Sequence, residues 1–479
     1  MSPALIEPVD VDVVIVGAGL SGLRAAVDIH KSGLSYVVLE AMDRVGGKTL
    51  SVPDSPQGGV VDFGAAWIND TSQVEMYRLA KDFGFELIEQ TATGLNLYQD
   101  NKQNTVSFPY SGMPFPGCRR YDKQQAQLYE AFGQMAVLVD RSDPEMPWLG
   151  PDAKRTDSLT LAELGEKEIG GGIGSVVLNV LSRACLGLES SEVGALPVID
   201  YVKAGTGLEN ISSDLKDSAQ YLRNRQDKSY ECIPASLKFS TRLAESLNAA
   251  AVKLSMPIFK ITQSDEGCMA STSPGPEYRC KKVLLSVPST LYLLIEFTPS
   301  LPATKEALSK SKLGYYSKTI FVFKKPWWRD AGFSGAIASD TGPIVFSRDT
   351  CVPNDKQYSI TCFHVAEPGK QWSKLRAEDR REAVLKLFRA MFSTVVDDVP
   401  EPINIIEKEW TKDPWARGAP SPVMGPGVLT SDAGKAVREP VGHIHFIGTE
   451  ASLVWKGYME GAVQSGIRGA KEVIADLAE

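Results

Sequence analysis

The chain has 479 residues, of which 43% are hydrophobic and 23% charged, and its formal net charge is −8. This length is too great for one simple core and indicates two domains, while the acidic balance lacks the basic footprint of a nucleic-acid binder. The composition is that of an ordinary soluble globular protein, so no nucleic acid is expected among its partners.

The termini and the cysteines indicate a cytoplasmic protein. The first ten residues lack the basic and apolar regions of a signal peptide, and the C-terminal ADLAE is not an SKL-type peroxisomal signal. No stretch reaches the roughly 18 apolar residues of a membrane span, so no membrane association is expected. The seven cysteines are widely spaced without a CxxC pair, which favours a reducing compartment and argues against a metal site.

The first predicted elements form a nucleotide-binding unit. Val11–Val16 (VDVVIV) is typical of a buried strand, GAGLSG follows it at once, and a helical pattern leads to a second strand, Ser35–Glu40. A GxGxxG motif between a strand and a helix predicts a dinucleotide site.

Each glycine of this motif has a distinct expected role. Gly17 makes the tight turn, Gly19 lets the backbone approach a pyrophosphate at the helix N-terminus, and Gly22 lets the helix pack on the strand. Glu40, at the end of the second strand, is expected to bind the ribose hydroxyls.

The next stretch, EAMDRVGGKT, resembles the second signature of the FAD-dependent amine oxidase superfamily, LEA-x-x-R-x-G-G-R. The resemblance implies that Arg44 contacts the adenine-side ribose and phosphate, and that Gly46 and Gly47 let the backbone pass close to the flavin's phosphate. Lys48 stands where the family commonly has Arg, which keeps the charge but loses the bidentate geometry.

VVDFGAAWI, Val60–Ile68, resembles the strand and turn that border the isoalloxazine ring in that family. The resemblance implies cofactor contacts at Gly64, Ala65, Ala66 and Trp67. Taken alone, the same residues would be interpreted as a buried β-turn.

The middle of the chain is less distinctive. DSLTLAEL predicts a helix capped by Asp157 or Ser158. A helix over Ile233–Leu247 and strands over Ala251–Gln263 resemble the block that returns to the FAD domain in the family. There Val252 would bind the adenine side through its backbone.

Leu313–Trp328 (LGYYSKTIFVFKKPWW) resembles the family's L-G-x-x-x-K strand. The resemblance makes Lys318 a catalytic residue, which holds a water against flavin N5 and assists reoxidation by dioxygen. A cation near N5 also favours electron flow to oxygen.

In WARGAPSPVMGPG, Ala419 and Pro420 stand where mammalian members have Cys-Tyr. We therefore expect a non-covalent FAD and a substrate cage that lacks one aromatic wall. Trp415 is a candidate for the substrate pocket, together with these two residues, and Trp410 is a candidate for the cofactor site.

The C-terminal EPVGHIHFIGTEAS and GYMEGAVQSG resemble the family's last flavin motif. The helix near Met459 would direct its N-terminus at the N1/O2 edge of the flavin, where reduction places negative charge. Tyr458 matches an aromatic wall beside the flavin and is the second expected catalytic residue. The other implied cofactor contacts of this segment are Gly448, Thr449, Glu450 and Gly457.

The sequence thus predicts an α/β, two-domain flavoprotein, in which a Rossmann-like FAD-binding domain is interleaved with an α+β substrate domain. The expected FAD-binding segments are 1–105, 226–300 and 421–479, and the expected substrate segments are 106–225 and 301–420.

The chain resembles flavin monoamine oxidases along nearly its whole length, and most of all their soluble fungal members. The resemblance implies hydride transfer from the carbon next to an amine nitrogen to flavin N5, and hydrolysis of the imine. Dioxygen is reduced to hydrogen peroxide. The expected partners are a small-molecule amine and dioxygen, and a homodimer stays a hypothesis.

Two alternatives stay open. A specialised biosynthetic dehydrogenase or oxidocyclase could oxidise a C–N bond of a bulky alkaloid-like substrate, and Pro420 is the feature that favours it. A non-catalytic flavin-binding protein is disfavoured by the presence of Lys318 and Tyr458. No arginine is convincing as a carboxylate clamp, because Arg417 lies in a loop.

Overall fold

A computed structural model describes residues 7–54, 59–112, 122–225 and 237–479. The strands in this part of the chain are β1 Val9–Val16, β2 Tyr36–Leu39, β3 Ser51–Pro53, β4 Val60–Asp62, β5 Trp67–Ile68, β6 Leu87–Glu89, β7 Leu95–Gln99, β8 Thr105–Pro109, β9 Leu222–Asn224, β10 Val252–Lys253, β11 Ile258–Ser264, β12 Gly267–Thr272, β13 Glu277–Leu285, β14 Glu296–Thr298, β15 Tyr316–Phe323, β16 Phe333–Ser339, β17 Phe346–Asp349, β18 Tyr358–Val365, β19 Asn404–Glu409 and β20 Ile444–Phe446.

The α-helices in the same part of the chain connect and cover these strands. They are α1 Leu20–Lys31, α2 Val74–Asp82, α3 Asp122–Asp140, α4 Ala153–Asp157, α5 Leu161–Glu168, α6 Gly172–Leu186, α7 Ala195–Ala204, α8 Leu208–Ile211, α9 Leu237–Glu245, α10 Ala303–Ser309, α11 Trp327–Asp330, α12 Ala366–Ser373, α13 Ala377–Phe392, α14 Asp432–Lys435 and α15 Met459–Ala478.

The first large sheet joins segments that are far apart in the chain. Its strand order is β10-β2-β1-β13-β12-β11-β14, and β20 pairs with β13. β1 runs parallel to both β2 and β13, and β20 runs parallel to β13. Parallel strands buried on both faces give the apolar runs seen in the sequence. The α1 and α15 helices pack together in the core beside these strands.

The second large sheet has the order β19-β15-β18-β17-β16-β7-β8. Most of its neighbouring pairs are antiparallel, and β16 and β7 are parallel. The predicted first segment, 1–105, contributes β7 to this sheet. A cluster of helices, including α3, α5, α6 and α7, forms a separate core. The mixed α/β architecture with two large sheets confirms the predicted fold class.

One local prediction about the middle of the chain is wrong. The helix after DSLT begins at Leu161, and Thr160 caps it through a capping box with Glu163. Asp157 instead accepts hydrogen bonds from the backbone and hydroxyl of Thr430, at 2.8 and 2.7 Å. The Thr-x-x-Glu pattern is the stronger cap because it satisfies two backbone N–H groups at once.

Two expected elements match their predicted positions within a few residues. The helix expected over residues 233–247 corresponds to α9, and residues 233–236 of the expected range lie outside the described residues. Strands β10 and β11 cover the stretch expected to be extended after it.

Candidate active site

One cavity of about 810 Å³ is lined by residues from the N-terminal motif, both large sheets and the C-terminal turn. Its volume lies in the upper range of ligand cavities in proteins. Its lining includes the glycines that follow β1 and aromatic side chains of β15, β17 and β18. We call the part lined by these glycines the nucleotide end and the part lined by these aromatic side chains the aromatic end.

The glycines at the nucleotide end leave room for a ligand. Gly17 has a φ of +97°, which favours glycine, and a Cβ on Gly22 would lie 2.0 Å from the carbonyl oxygen of Gly17. A Cβ on Gly19 would meet no atom within 4 Å, and a Cβ on Gly47 would come within 3.4 Å of Gly19. Bare backbone from both motifs thus faces open space in front of α1, as pyrophosphate binding requires.

Glu40 and Arg44 have different positions around this end. The Glu40 carboxylate lines the cavity and accepts hydrogen bonds from the backbone of Ala18 at 2.6 Å and Met42 at 2.9 Å. Burial raises the pKa of Glu40. The Arg44 guanidinium is not among the lining groups.

Arg44 instead holds the Gly-Gly turn that borders the cavity. Its guanidinium donates to the carbonyl oxygens of Val45, Gly47 and Thr49, at 3.1, 2.9 and 3.2 Å. The structure thus brings Arg44 to the backbone of its own signature, and a role in shaping this turn is the one its contacts support.

Lys318, on β15, is buried against the turn that follows β4. Its Nζ donates to the carbonyl oxygens of Gly64 at 2.7 Å and Asp62 at 3.3 Å, and only 4% of the residue is exposed. Burial lowers the pKa of Lys318 to about 8. Trp410 fixes the same turn, because its Nε1 donates to the carbonyl oxygen of Phe63 at 3.0 Å.

The loop at Ala419 and Pro420 reaches the cavity beside Lys48. Lys48 Nζ donates to the carbonyl oxygen of Pro420 at 2.9 Å. Burial lowers the pKa of Lys48 to about 8, against the opposite effect of the Glu450 carboxylate. A lysine at this position therefore ties the second signature to the loop at Ala419 and Pro420.

The C-terminal turn also lines the cavity. The Thr449 hydroxyl donates to the carbonyl oxygen of Tyr458 and accepts from the backbone of Gly457, both at 3.0 Å. Burial raises the pKa of Glu450, whose carboxylate accepts from the backbone of Ser289 at 2.8 Å. Among the described residues, no side chain caps the N-terminus of α15, so its first N–H groups are available to a ligand.

The aromatic end contains residues that the sequence motifs did not reveal. Tyr201 stacks on Tyr458 with ring centres 5.7 Å apart, and the hydroxyl of Tyr316 donates to the carbonyl oxygen of Ala184 at 2.8 Å. Burial raises the pKa values of these three tyrosines, so they are neutral hydrogen-bonding groups near neutral pH. Cys185 also lines this end, and burial raises the pKa of its thiol to about 12.

Other lining residues of the aromatic end come from β17, β18, the end of α8 and the loop before β9. They are Phe346, Arg348, Phe363, Ile211, Ser212 and Gln220. For Tyr316 the sequence holds a signal, the alternation Tyr316-x-Lys318 on β15, because residues at i and i+2 share a face of a strand. The remaining residues are far apart in the sequence and come together only in the folded chain.

Most of the predicted site residues line this one cavity. They are Gly17, Gly19, Glu40, Gly46, Gly47, Lys48, Gly64, Ala65, Ala66, Trp67, Lys318, Trp410, Trp415, Ala419, Pro420, Thr449, Glu450, Gly457, Tyr458 and Met459. Four predicted residues are not among its lining groups: Gly22, Arg44, Val252 and Gly448. Gly22 packs against the Gly17 backbone, and Val252 pairs with Val38 at the edge of the first sheet.

Comparison with known proteins agrees with these features. Residues 20–474 match the family described as "Flavin containing amine oxidoreductase". The chain belongs to this family. It is 31% identical to "Probable flavin-containing monoamine oxidase A" of Dictyostelium discoideum, over 96% of this chain and 97% of that protein. It is 30% identical to "Amine oxidase [flavin-containing] B" of Homo sapiens, over 97% of this chain and 86% of that protein.

The fold is also that of solved flavin amine oxidoreductases. Cyclohexylamine oxidase from Brevibacterium oxydans IH-35A matches with a TM-score of 0.87 and 28% identity, over 98% of this chain and 100% of that chain. The chain is therefore an FAD-dependent amine oxidase that acts on small-molecule amines and uses dioxygen as acceptor. This confirms the predicted family, enzyme class and cofactor.

Two further observations concern the part of the chain that the structure describes. No helix there is both long and apolar enough to cross a bilayer. No group of His, Cys, Asp and Glu side chains in the same ranges could hold a metal ion.

Proposed function

We propose that the amine is oxidised at the aromatic end of the cavity, with Lys318 and Tyr458 as catalytic residues. FAD, when bound, supplies the hydride acceptor and passes the electrons to dioxygen, which leaves as hydrogen peroxide. The observation that carries this proposal is the cavity itself. The glycines after β1, the buried Lys318 and Tyr458 all line it, although Lys318 and Tyr458 are more than a hundred residues apart in the sequence.

The residues at the aromatic end favour a neutral amine with an apolar body. Phe346, Phe363 and Tyr458 contribute aromatic rings, and α3 and α6 contribute aliphatic side chains such as Leu128 and Leu181. A charged ammonium would lose its hydration in such surroundings, so the uncharged form of the amine is bound preferentially. A tyrosine hydroxyl can donate a hydrogen bond to the amine nitrogen or accept one from its N–H group.

Lys318 has two functions in this proposal. Its hydrogen bonds to Asp62 and Gly64 hold the turn that precedes Trp67 against β15. Its positive charge, in a site with little water, stabilises negative charge that develops on reduced oxygen. A neutral methionine could fill much of the same space but could supply neither effect.

FAD is held without a covalent bond at Ala419, because a methyl group offers no nucleophile there. The residues that would hold it are the lining groups of the nucleotide end together with the uncapped N-terminus of α15. Lys48 is positioned by the carbonyl oxygen of Pro420 and adds one positive charge to this end.

The first experiment is an anaerobic reduction assay with the purified, yellow protein. Simple aliphatic and benzylic amines are mixed in while the flavin absorbance band is followed. Rapid bleaching by several of them would establish a general amine oxidase. If none of them reduces the flavin, the specialised dehydrogenase of a bulky alkaloid-like substrate replaces this proposal, and Pro420 is then part of a widened pocket.

The assembly and the compartment stay predictions of the sequence. A homodimer would elute at twice the monomer mass in size-exclusion chromatography with light scattering. A cytoplasmic location would be seen by fractionation of the source cells.

A further inference from the structure

Arg348 is a charged group of the cavity that amine oxidation does not require. It lies on β17, its side chain is 29% exposed, and it lines the same cavity as Lys318. Its Nε lies 3.2 Å from the Asp214 carboxylate, and its Nη1 donates to the carbonyl oxygen of Ser347 at 3.2 Å. Its Nη2 donates to no residue in the ranges that the structure describes, so this edge of the guanidinium is open to a ligand.

An aromatic floor connects Lys318 to Arg348. Phe363 lies directly across from Lys318 in the sheet, and Phe346 lies directly across from Phe363. The two rings stack with centres 4.3 Å apart and planes 14° apart. Arg348 follows Phe346 by two positions, so both side chains share this face of the sheet. The guanidinium carbon is 5.8 Å from the centre of the Phe346 ring.

The spacing of the strands sets the length of a ligand that spans this floor. Lys318 and Arg348 are two strands apart and offset by two residues. Strand spacing of about 4.8 Å and a rise of about 3.3 Å per residue place their Cα atoms about 12 Å apart. Because both side chains extend into the cavity, a ligand about 10 Å long reaches from one to the other.

Arg348 is held in place from behind. Asp214 is buried, and it accepts a hydrogen bond from the hydroxyl of Tyr110 as well as facing Arg348. A guanidinium fixed on one edge by a carboxylate loses little freedom when its other edge binds a second oxygen anion. The other arginine that lines the cavity, Arg183, directs its Nε at both oxygens of Glu189, each at 3.0 Å.

We propose that Arg348 binds a carboxylate at the end of the substrate opposite to the oxidised amine. This inference rests on the proposed function and defines its substrate class, an extended amine with a terminal carboxylate about 10 Å from the nitrogen. An eight-carbon ω-amino acid has roughly this length when extended. An α-amino acid does not fit, because its amine and carboxylate share one carbon.

The experiment compares three eight-carbon amines on the FAD-loaded protein: octylamine, the ω-amino acid aminooctanoate and the diamine diaminooctane. For the wild type, kcat/KM is expected to be highest for aminooctanoate. Arg348→Leu should lower the ratio of kcat/KM for aminooctanoate to that for octylamine by about tenfold or more, as expected for loss of a hydrogen-bonded charge. Arg348→Lys should restore part of the ratio. Arg183→Leu is the matched control and should leave the ratio unchanged.

A second measurement separates this inference from the oxidase function. Octanoate has the carboxylate but no amine, so it can bind but cannot be oxidised. Calorimetry should show that octanoate binds the wild type and that Arg348→Leu weakens this binding about tenfold. If octylamine reduces the flavin while octanoate binding is the same in both proteins, the inference is wrong and the oxidase function stands.

The remaining outcomes also decide the question. Asp214→Asn removes the charge that fixes the guanidinium of Arg348 and should lower the aminooctanoate ratio, which tests the inference even if Arg348→Leu does not fold. An unchanged or higher ratio in Asp214→Asn would contradict the inference. A wild-type preference for diaminooctane would overturn it as well and would assign the far end of the substrate to Asp340, a lining carboxylate that accepts from Tyr98 at 2.7 Å.

Discussion

Lys318 shows how a single side chain combines structure and reactivity. It is buried between the turn after β4 and the rings of Trp67 and Phe363, whose centres lie 5.7 and 5.1 Å from its Nζ. Carbonyl oxygens and ring faces partly replace the water that a free ammonium would have. They do not replace all of it, because burial still lowers the pKa of Lys318 to about 8.

Replacing Lys318 should affect the oxygen reaction more than the amine reaction. Lys318→Met is expected to slow reoxidation of the reduced protein by about tenfold or more, because the charge that stabilises reduced oxygen is lost. Stopped-flow mixing of the reduced protein with aerated buffer measures this rate. Lys48→Met removes another lysine that lines the cavity and should instead weaken FAD binding. Equal reoxidation rates in wild type and Lys318→Met would contradict the assigned role.

The same lysine should make stability depend on pH in a defined window. Its folded pKa of about 8 lies below the value of 10.5 for a lysine in water, so the unfolded chain binds more protons between these pH values. The contribution of Lys318 to the free energy of unfolding should therefore rise with pH from about 8 to about 10.5, by about 3 kcal/mol in total. Urea unfolding of wild type and Lys318→Met, compared at both ends of this window, measures it. A constant difference would show that the lysine is solvated.

At the scale of elements, the first turn of α15 borders the cavity and also caps helix α2. Its uncapped N-terminus faces the cavity, while the carboxylate of Glu460 turns away and accepts from the backbone of Glu75 at 3.1 Å and Met76 at 2.8 Å. These are N–H groups in the first turn of α2, which has no cap of its own. Glu460 therefore supplies from another segment the cap that the local sequence of α2 lacks.

Loss of this long-range cap should be measurable as stability. Glu460→Ala is expected to lower the free energy of unfolding by about 1–2 kcal/mol, as for removal of an N-cap side chain. Glu460→Gln keeps one acceptor and should lose less. Urea titration followed by fluorescence gives both values. If the alanine variant were as stable as wild type, the cap would contribute nothing.

The sequence predicted the secondary-structure elements better than the contacts between them. The strand before GAGLSG and the helix after it follow from local patterns, and both are present. The cap of α2 by Glu460 could not be predicted, because Glu460 is almost four hundred positions away from the start of α2. The same holds for Arg348, which looks like an ordinary strand residue until β17 pairs with β18. Arg44 was expected at the nucleotide because its motif resembles a cofactor signature, yet its hydrogen bonds shape the backbone of the turn.

At the scale of the whole molecule, the packing of α1 against α15 joins the two ends of the fold. A Cβ on Gly466 would lie 2.3 Å from the carbonyl oxygen of Ser21 and 3.3 Å from the backbone nitrogen of Ala25. The helices can therefore approach this closely only with glycine at that position. The Ser21 hydroxyl also donates to the carbonyl oxygen of Ile447 across the same junction.

A methyl group at this junction should disturb both stability and cofactor binding. Gly466→Ala is expected to lower the free energy of unfolding by about 2 kcal/mol or more, because backbone atoms must move apart. It is also expected to weaken FAD binding. Gly133→Ala in α3 is the matched control, since its Cβ would meet no atom within 4 Å. It should raise stability by about 0.5–1 kcal/mol through helix propensity. Thermal unfolding with and without added FAD tests both, and equal effects of the two substitutions would refute the close packing.

The order in which the segments of the first sheet are synthesised has a consequence for the living cell. Ser21 and its partner Ile447 are 426 residues apart. At about 5–20 residues per second, a ribosome needs roughly 20 to 85 seconds to make the chain between them. During that time the GAGLSG turn is exposed without β20 and α15, so the nascent chain has only part of its nucleotide site. Capture of FAD is thus a late event, and a shortage of the vitamin from which FAD is made would leave newly translated chains open to aggregation and proteolysis.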